Sequence, residues 1–149
     1  MAAKIIKDKV IVSCSAITKD RDKYLVVKES SHGLEYLNQP AGELKKGEKP
    51  EDGIRREVLE ETGYKIQVNL LLKIYYTTSR LSGKKHKNYC FICSLKDKRQ
   101  FIQSISDPKI KRVIWMTKRE ILENIEKFAF TNAYRAFLDY FSRKNIIVS

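Results

Sequence analysis

The chain has 149 residues, 42% of them hydrophobic, which is one domain's worth of sequence with enough apolar content to build a core. Its formal net charge is +12, yet seven of its 18 acids (Glu43, Glu48, Glu51, Asp52, Glu57, Glu60 and Glu61) fall between residues 43 and 61, so the remainder is more basic still. No apolar run approaches the roughly 18 residues a membrane helix needs, and the first residues lack the shape of a signal peptide, so the expectation is a single domain over residues 1–149, without membrane association, in the cytoplasm.

Taken in order, Val10–Ile17 and Lys23–Lys28 have the β-branched and aromatic content of two strands, joined by a charged turn at Lys19–Asp22. The stretch Leu37-Asn38-Gln39-Pro40-Ala41-Gly42-Glu43-Leu44 reads as a loop broken by Pro40, Gly42 and Gly47. A helix is expected from Lys49 or Pro50: proline suits a first helical position, Glu51 and Asp52 lie on the favourable side of the helix dipole, and Lys49 is a poor cap. Gly63 is the natural left-handed stop at its other end.

That helix carries Glu57, Glu60 and Glu61 at i, i+3 and i+4, which places three carboxylates within an arc of about 100°. Like charges so spaced destabilise a bare helix by roughly 0.2–0.5 kcal/mol per pair, so the pattern asks for a counterion. Either the face is simply solvated, or it holds a hard divalent cation, because Mg²⁺ and Mn²⁺ favour carboxylate oxygen and leave positions open for water and phosphate.

Beyond the helix, residues 65–77 suit one bent strand or two short ones, and Asn88–Leu95 a further strand across the loop 79–87, which collects Arg80, Lys84, Lys85, His86 and Lys87. Such a cluster attracts anions, whether as a substrate contact or as a plain solvated loop. Lys111–Met116 is the final strand; Thr117 and Glu120 form a capping box for a helix through Ile121, Leu122 and Ile125. After a break at Phe128–Phe130 a second helix is expected from Thr131, with Tyr134, Phe137, Leu138 and Phe141 on one face turned into the core. Cys14, Cys90 and Cys93 are odd in number and lie in apolar runs, so they are read as buried free thiols.

Gly42, Glu48, Arg56, Glu57, Val58, Glu60, Glu61 and Gly63 match, position by position, the signature of the Nudix hydrolases, and the chain resembles that family over nearly its whole length. The departures are Tyr64, where the family usually has an aliphatic residue, and Leu37, where it commonly has an aromatic. The resemblance implies an α/β fold, a mixed β-sheet sandwiched between α-helices (α/β/α), and a Mg²⁺ cofactor with Mn²⁺ as the alternative. It implies Glu57 and Glu61 as principal metal ligands, Glu60 as a further ligand or base, and the Ala41 carbonyl as a backbone ligand. Arg56 and Glu48 correspond to a supporting pair that ties loop to helix and holds Glu57.

Relatives also use an acid in the loop before the last strand, here Ser104–Ile110. Lys109 occupies the expected position, which leaves Asp107 as the nearby carboxylate and makes Glu60 the first choice of base. Tyr36 is the candidate stacking ring in place of Leu37, with Gln39, Lys84 and Lys85 as further substrate-binding residues.

The function implied is hydrolysis of a phosphoanhydride bond in a nucleoside di- or triphosphate, or a related small organic pyrophosphate, by a monomer or homodimer. Within the family the likeness is to NudJ-type phosphatases, which implies nucleotide or thiamine-precursor pyrophosphates as substrates. The high positive charge admits an RNA 5′-pyrophosphohydrolase as an alternative. A Nudix-like module that binds ligand without catalysis is the third reading.

Overall fold

The computed structural model describes residues 9–143, in the order β1 (Val10–Asp20), β2 (Lys23–Ser31), β3 (Leu34–Asn38), β4 (Ala41–Glu43), α1 (Pro50–Thr62), β5 (Ile66–Thr78), β6 (Lys85–Leu95), β7 (Ile110–Thr117), α2 (Lys118–Glu123) and α3 (Ala133–Ser142). Two short 3₁₀ turns, Ile102–Ser104 and Ile125–Phe128, complete it.

The hairpin of β1 and β2 closes as its charged turn suggests, but the two strands pair only at Lys19↔Tyr24 and Asp20↔Lys23. From there they diverge. β1 runs parallel to β6 from Val10↔Lys85 to Thr18↔Cys93 and takes β4 on its other side, while β2 lies between β3 and β7, both antiparallel. β5 pairs antiparallel with β6 and is a single strand bent by two register shifts, at Val68/Leu70 and Leu71/Lys73. The result is a mixed seven-stranded sheet that splays open beside the hairpin.

Runs of consecutive buried residues, Ser13–Thr18 in β1 and Tyr24–Val27 in β2, mark strands covered on both faces. Alternate side chains feed two cores. Cys14, Ala16 and Leu25 meet Ile54 and Val58 of α1, whereas Ile17, Tyr24 and Val26 meet Ile121, Phe128 and Phe137 from the C-terminal helical segment. Helix on one face, sheet, helices on the other is the expected α/β/α arrangement.

α1 begins at Pro50 after an extended Lys49 whose side chain makes no cap bond, and it ends where Gly63, at φ 76°, donates its amide to the Leu59 carbonyl. The Thr117–Glu120 capping box is formed, and all three cysteines are buried and free.

Two expectations need correction. Residues 37–44 are not a loop: β3 and β4 occupy most of the segment, because the backbone of Ala41–Glu43 pairs with β1 and the Ala16 amide donates to the Pro40 carbonyl at 2.9 Å. Cross-strand pairing of this kind overrides the breaking tendency of Pro40 and Gly42. The last helix starts at Ala133 rather than Thr131, since the Thr131 hydroxyl accepts the Ala133 amide hydrogen from outside the helix. Among the described residues no helix is long and apolar enough to cross a membrane.

Candidate active site

The C-terminal half of α1 and the mouth of the splayed sheet meet at a cavity of about 710 Å³. Glu57 and Glu61, one turn apart on α1, line it, as the i, i+4 spacing requires. Glu57 reaches it past Gly42 of β4, where an added Cβ would collide with the Glu57 carboxyl group, so the glycine is needed for close approach. Glu61 is 2% exposed, and one carboxylate oxygen accepts the Ala41 amide hydrogen at 3.0 Å.

Asp107 brings a third carboxylate from the loop before β7, a residue considered in the sequence but not placed among the expected ligands. The Glu60 carbonyl accepts the amides of Ser106 at 2.9 Å and Asp107 at 3.4 Å, and Phe101 and Gln100 donate to the carbonyls of Gly63 and Thr62, so the whole segment is moored on the end of α1. Carboxylate oxygens of Glu57, Glu61 and Asp107 all lie within 4.8 Å of one another.

Arg56 makes the frame. Its Nε and Nη2 grip the two oxygens of Glu48 at 2.8 and 2.9 Å, Nη1 donates to Glu57 at 2.9 Å and Glu60 at 3.1 Å, and Nη2 also donates to the Glu43 carbonyl at 3.1 Å. Five N–H groups meet five acceptors, the full capacity of a guanidinium. The hydrogen bonds from Arg56, with one from the Lys45 amide, hold the Glu48 carboxyl down at about 2.

The cavity carboxylates are shifted the other way. Burial pushes Glu57 up against the pull of Arg56, with Glu60 and Asp107 adding repulsion. Burial, then the charge of Glu29, pushes Glu61 well above the carboxylate range. Glu29 of β2 also lines the cavity and is raised by its own burial. Buried, mutually repelling oxygens that leave only part of their charge to Arg56 are suited to a hard divalent cation, and Glu57, Glu61 and Asp107 offer it an all-oxygen set.

The remaining expected residues fall into two groups. Ala41 and Gln39 line the cavity; Arg56, Glu48 and Glu60 do not, and act from behind it. Glu60 is paired with Arg56 and lies outside the carboxylate trio. Tyr36 is 5% exposed, paired across the strands with Glu29 and with its ring 5.9 Å from that of Phe130, and it is Phe130 that lines the cavity. Neither Lys84 nor Lys85 lines the cavity, whereas Arg80 does, as does His86, which lies in β6 because that strand starts at Lys85 inside the expected loop.

Other cavity groups had no local signal in the sequence. Ser13 and Ser15 of β1 bracket Asn88 of β6, with Asn88 Nδ2 donating to Ser13 at 2.9 Å and Ser15 donating to Asn88 Oδ1 at 2.6 Å, a buried polar ladder made by the parallel register. Lys109, Asn132 and Arg135 also line the cavity.

A profile of the NUDIX domain matches residues 7–141. A Bacillus subtilis protein named ADP-ribose pyrophosphatase is 38% identical over 77 residues, covering 50% of this chain and 41% of that protein. A MutT-like protein of Streptomyces ambofaciens is 34% identical over 64 residues, covering 43% and 40% respectively. The matched region thus spans about two fifths of the length of these relatives. Among solved structures, a NUDIX hydrolase from Nitrosomonas europaea superposes with a TM-score of 0.79 at 29% identity, over 95% of this chain and 96% of that one.

Proposed function

Because the chain belongs to the NUDIX domain family, we propose that it is a divalent-metal-dependent hydrolase that breaks a phosphoanhydride bond in a nucleoside di- or triphosphate or a related small organic pyrophosphate. The observation that carries this reading is the convergence of Glu57, Glu61 and Asp107 within 4.8 Å at the wall of a cavity of about 710 Å³, a size within the usual range for small-molecule sites. The name of the Bacillus subtilis relative supports a substrate with a pyrophosphate bridge.

Glu57, Glu61 and Asp107 would hold Mg²⁺ or Mn²⁺, with the Ala41 carbonyl as the backbone ligand the resemblance implies. A bound ion of this kind lowers the pKa of water and neutralises charge on phosphoryl oxygens. The chain's own contribution is placement: Arg56, fixed by Glu48, sets the rotamer of Glu57, and the Ala41 amide sets Glu61. Arg80, Lys109 and Arg135 line the same cavity and offer positive charge to the substrate phosphates.

We assign the general base to Asp107 instead of Glu60, through the carboxylate oxygen that would stay free of the ion. Asp107 lines the cavity, whereas Glu60 is engaged with Arg56 outside it and serves to position that arginine. A cytoplasmic location follows from a nucleotide substrate and is part of the same proposal.

The test is a panel of nucleoside di- and triphosphates, ADP-ribose and other nucleoside diphosphate sugars, assayed with Mg²⁺ and Mn²⁺ in ¹⁸O-labelled water. Turnover of at least one compound, lost on metal removal and in Glu57→Gln, is expected. Turnover of none, or activity that survives Glu57→Gln, rejects the reading.

A further inference from the structure

Strand register sets Glu43, Ser13, Asn88 and Tyr75 in one row across β4, β1, β6 and β5, and residues paired in this way present their side chains on the same face of a sheet. The first three line the cavity, and Tyr75, 1% exposed, ends the row. Above it lies Arg135 of α3, which also lines the cavity, with its guanidinium carbon 5.3 Å from the centre of the Tyr75 ring. Three strand spacings, about 14 Å of backbone, separate this end of the floor from β4, where Glu57 approaches Gly42.

Arg135 has no carboxylate of its own. Asp139 stands four residues on in α3, a spacing at which a helical arginine and aspartate ordinarily meet, yet among the described residues no hydrogen bond or ion pair joins Arg135 to it or to any other acid. The Tyr75 hydroxyl takes the place of the arginine, donating to Asp139 Oδ2 at 2.6 Å, and Lys73 Nζ lies 4.0 Å from the same oxygen. Tyr75 thus acts twice: its hydroxyl engages the carboxylate that would compete for the guanidinium, and its ring holds the guanidinium by cation–π attraction, which consumes none of the N–H donors. Arg56 shows the opposite arrangement, a guanidinium among carboxylates that spends every donor on the protein.

We propose that Tyr75 and Asp139 are positioning residues that keep Arg135 open as the clamp for a phosphate group of the substrate at the β5 end of the cavity. A guanidinium with unspent donors matches phosphate oxygens, which accept its forked N–H groups in pairs. The identity of the anion rests on the hydrolase reading, but the test requires no turnover.

The test measures binding of methylenediphosphonate and of the α,β-methylene analogue of ADP to the whole chain by calorimetry with Mg²⁺ present; in both, a CH₂ group replaces the anhydride oxygen. Wild-type protein is expected to bind at least one of them, and Arg135→Gln to weaken that binding roughly tenfold or more, the scale of charged hydrogen bonds lost. Tyr75→Phe keeps the ring but releases Asp139 to pair with Arg135, and is expected to weaken binding roughly two- to fivefold, the scale of one competing surface ion pair. Asp139→Asn removes the competitor and is expected to bind at least as well as wild type. Tyr75→Phe combined with Asp139→Asn is expected to match Asp139→Asn alone. A hydroxyl that merely tied α3 to β5 would give a different pattern: loss of either end of the bond would act alike, and the second substitution would restore nothing.

An absence of binding by wild type, undiminished affinity in Arg135→Gln, or a double variant as weak as Tyr75→Phe overturns the proposal. Failure of the hydrolase reading shows itself separately, as an absence of metal-dependent turnover in a protein that still binds these analogues through Arg135.

Discussion

Asp107 is tied by its backbone to Glu60: the carbonyl of Glu60 accepts the Asp107 amide at 3.4 Å and that of the preceding Ser106 at 2.9 Å. Glu60 therefore contributes two things by separate atoms, a carbonyl that moors the loop and a carboxylate that pairs with Arg56. Substituting its side chain leaves the mooring intact. Asp107→Asn should lower turnover roughly 10²–10⁴-fold, the range for loss of a general base. Glu60→Gln should cost less than about tenfold, since it removes one half-exposed ion pair worth ~0–1 kcal/mol. Steady-state kinetics of the two variants decide the matter, and the reverse order would return the base to Glu60.

Arg56 spends all five of its N–H groups on the site, so no other side chain can replace it. Arg56→Lys should destabilise the protein by about 2–3 kcal/mol, as expected for losing charged hydrogen bonds, and reduce turnover roughly 10–100-fold through misplacement of Glu57. Denaturant unfolding and kinetics on one preparation test both figures.

Gly42→Ala sets a methyl group against the Glu57 carboxylate. The expected result is a stability loss of about 1–3 kcal/mol from overpacking, together with weakened Mn²⁺ binding measured by electron paramagnetic resonance. Undiminished Mn²⁺ affinity would show that Glu57 has another way to reach the site.

The Glu48 carboxyl, held at about 2 in the fold against an ordinary value of 4.5, gives the protein an acid-sensitive contribution. The folded value is depressed, so the unfolded chain binds the extra proton first. The stabilisation is complete above about pH 4.5 and disappears as pH falls towards 2. Unfolding free energies across that window should fall less steeply in Glu48→Gln than in the wild type.

Glu61 bears the opposite strain, a buried carboxylate beside other acids with one amide partner. Mg²⁺ at saturating concentration should therefore raise the thermal midpoint, and a chelator should reverse the gain. Glu61→Gln should be more stable than wild type without metal and lose most of the Mg²⁺-dependent rise, a pair of outcomes that scanning calorimetry reads directly.

The helical part of the acidic cluster was legible in the chain because it is local. Pro50 and Gly63 delimit one helix, helical periodicity places Glu57 and Glu61 on one face, and eight positions within 22 residues carry the family likeness. The capping box at Thr117, the free cysteines and the sheet-and-helix class are also local or compositional properties, and they follow from propensity and pattern.

Only the tertiary structure decided which distant residues share the cavity. β4 exists because β1 offers it a pairing edge, Asp107 joins the acids because its loop bonds to the carbonyl of Glu60, and Tyr36 turns inward to Phe130 while Asn132 lines the cavity. These are contacts between groups tens of residues apart in sequence, set by strand register and by the need to satisfy buried polar atoms. Neither condition leaves a periodic signature within any one segment, so the chain announces its chemistry and the fold chooses its substrate contacts.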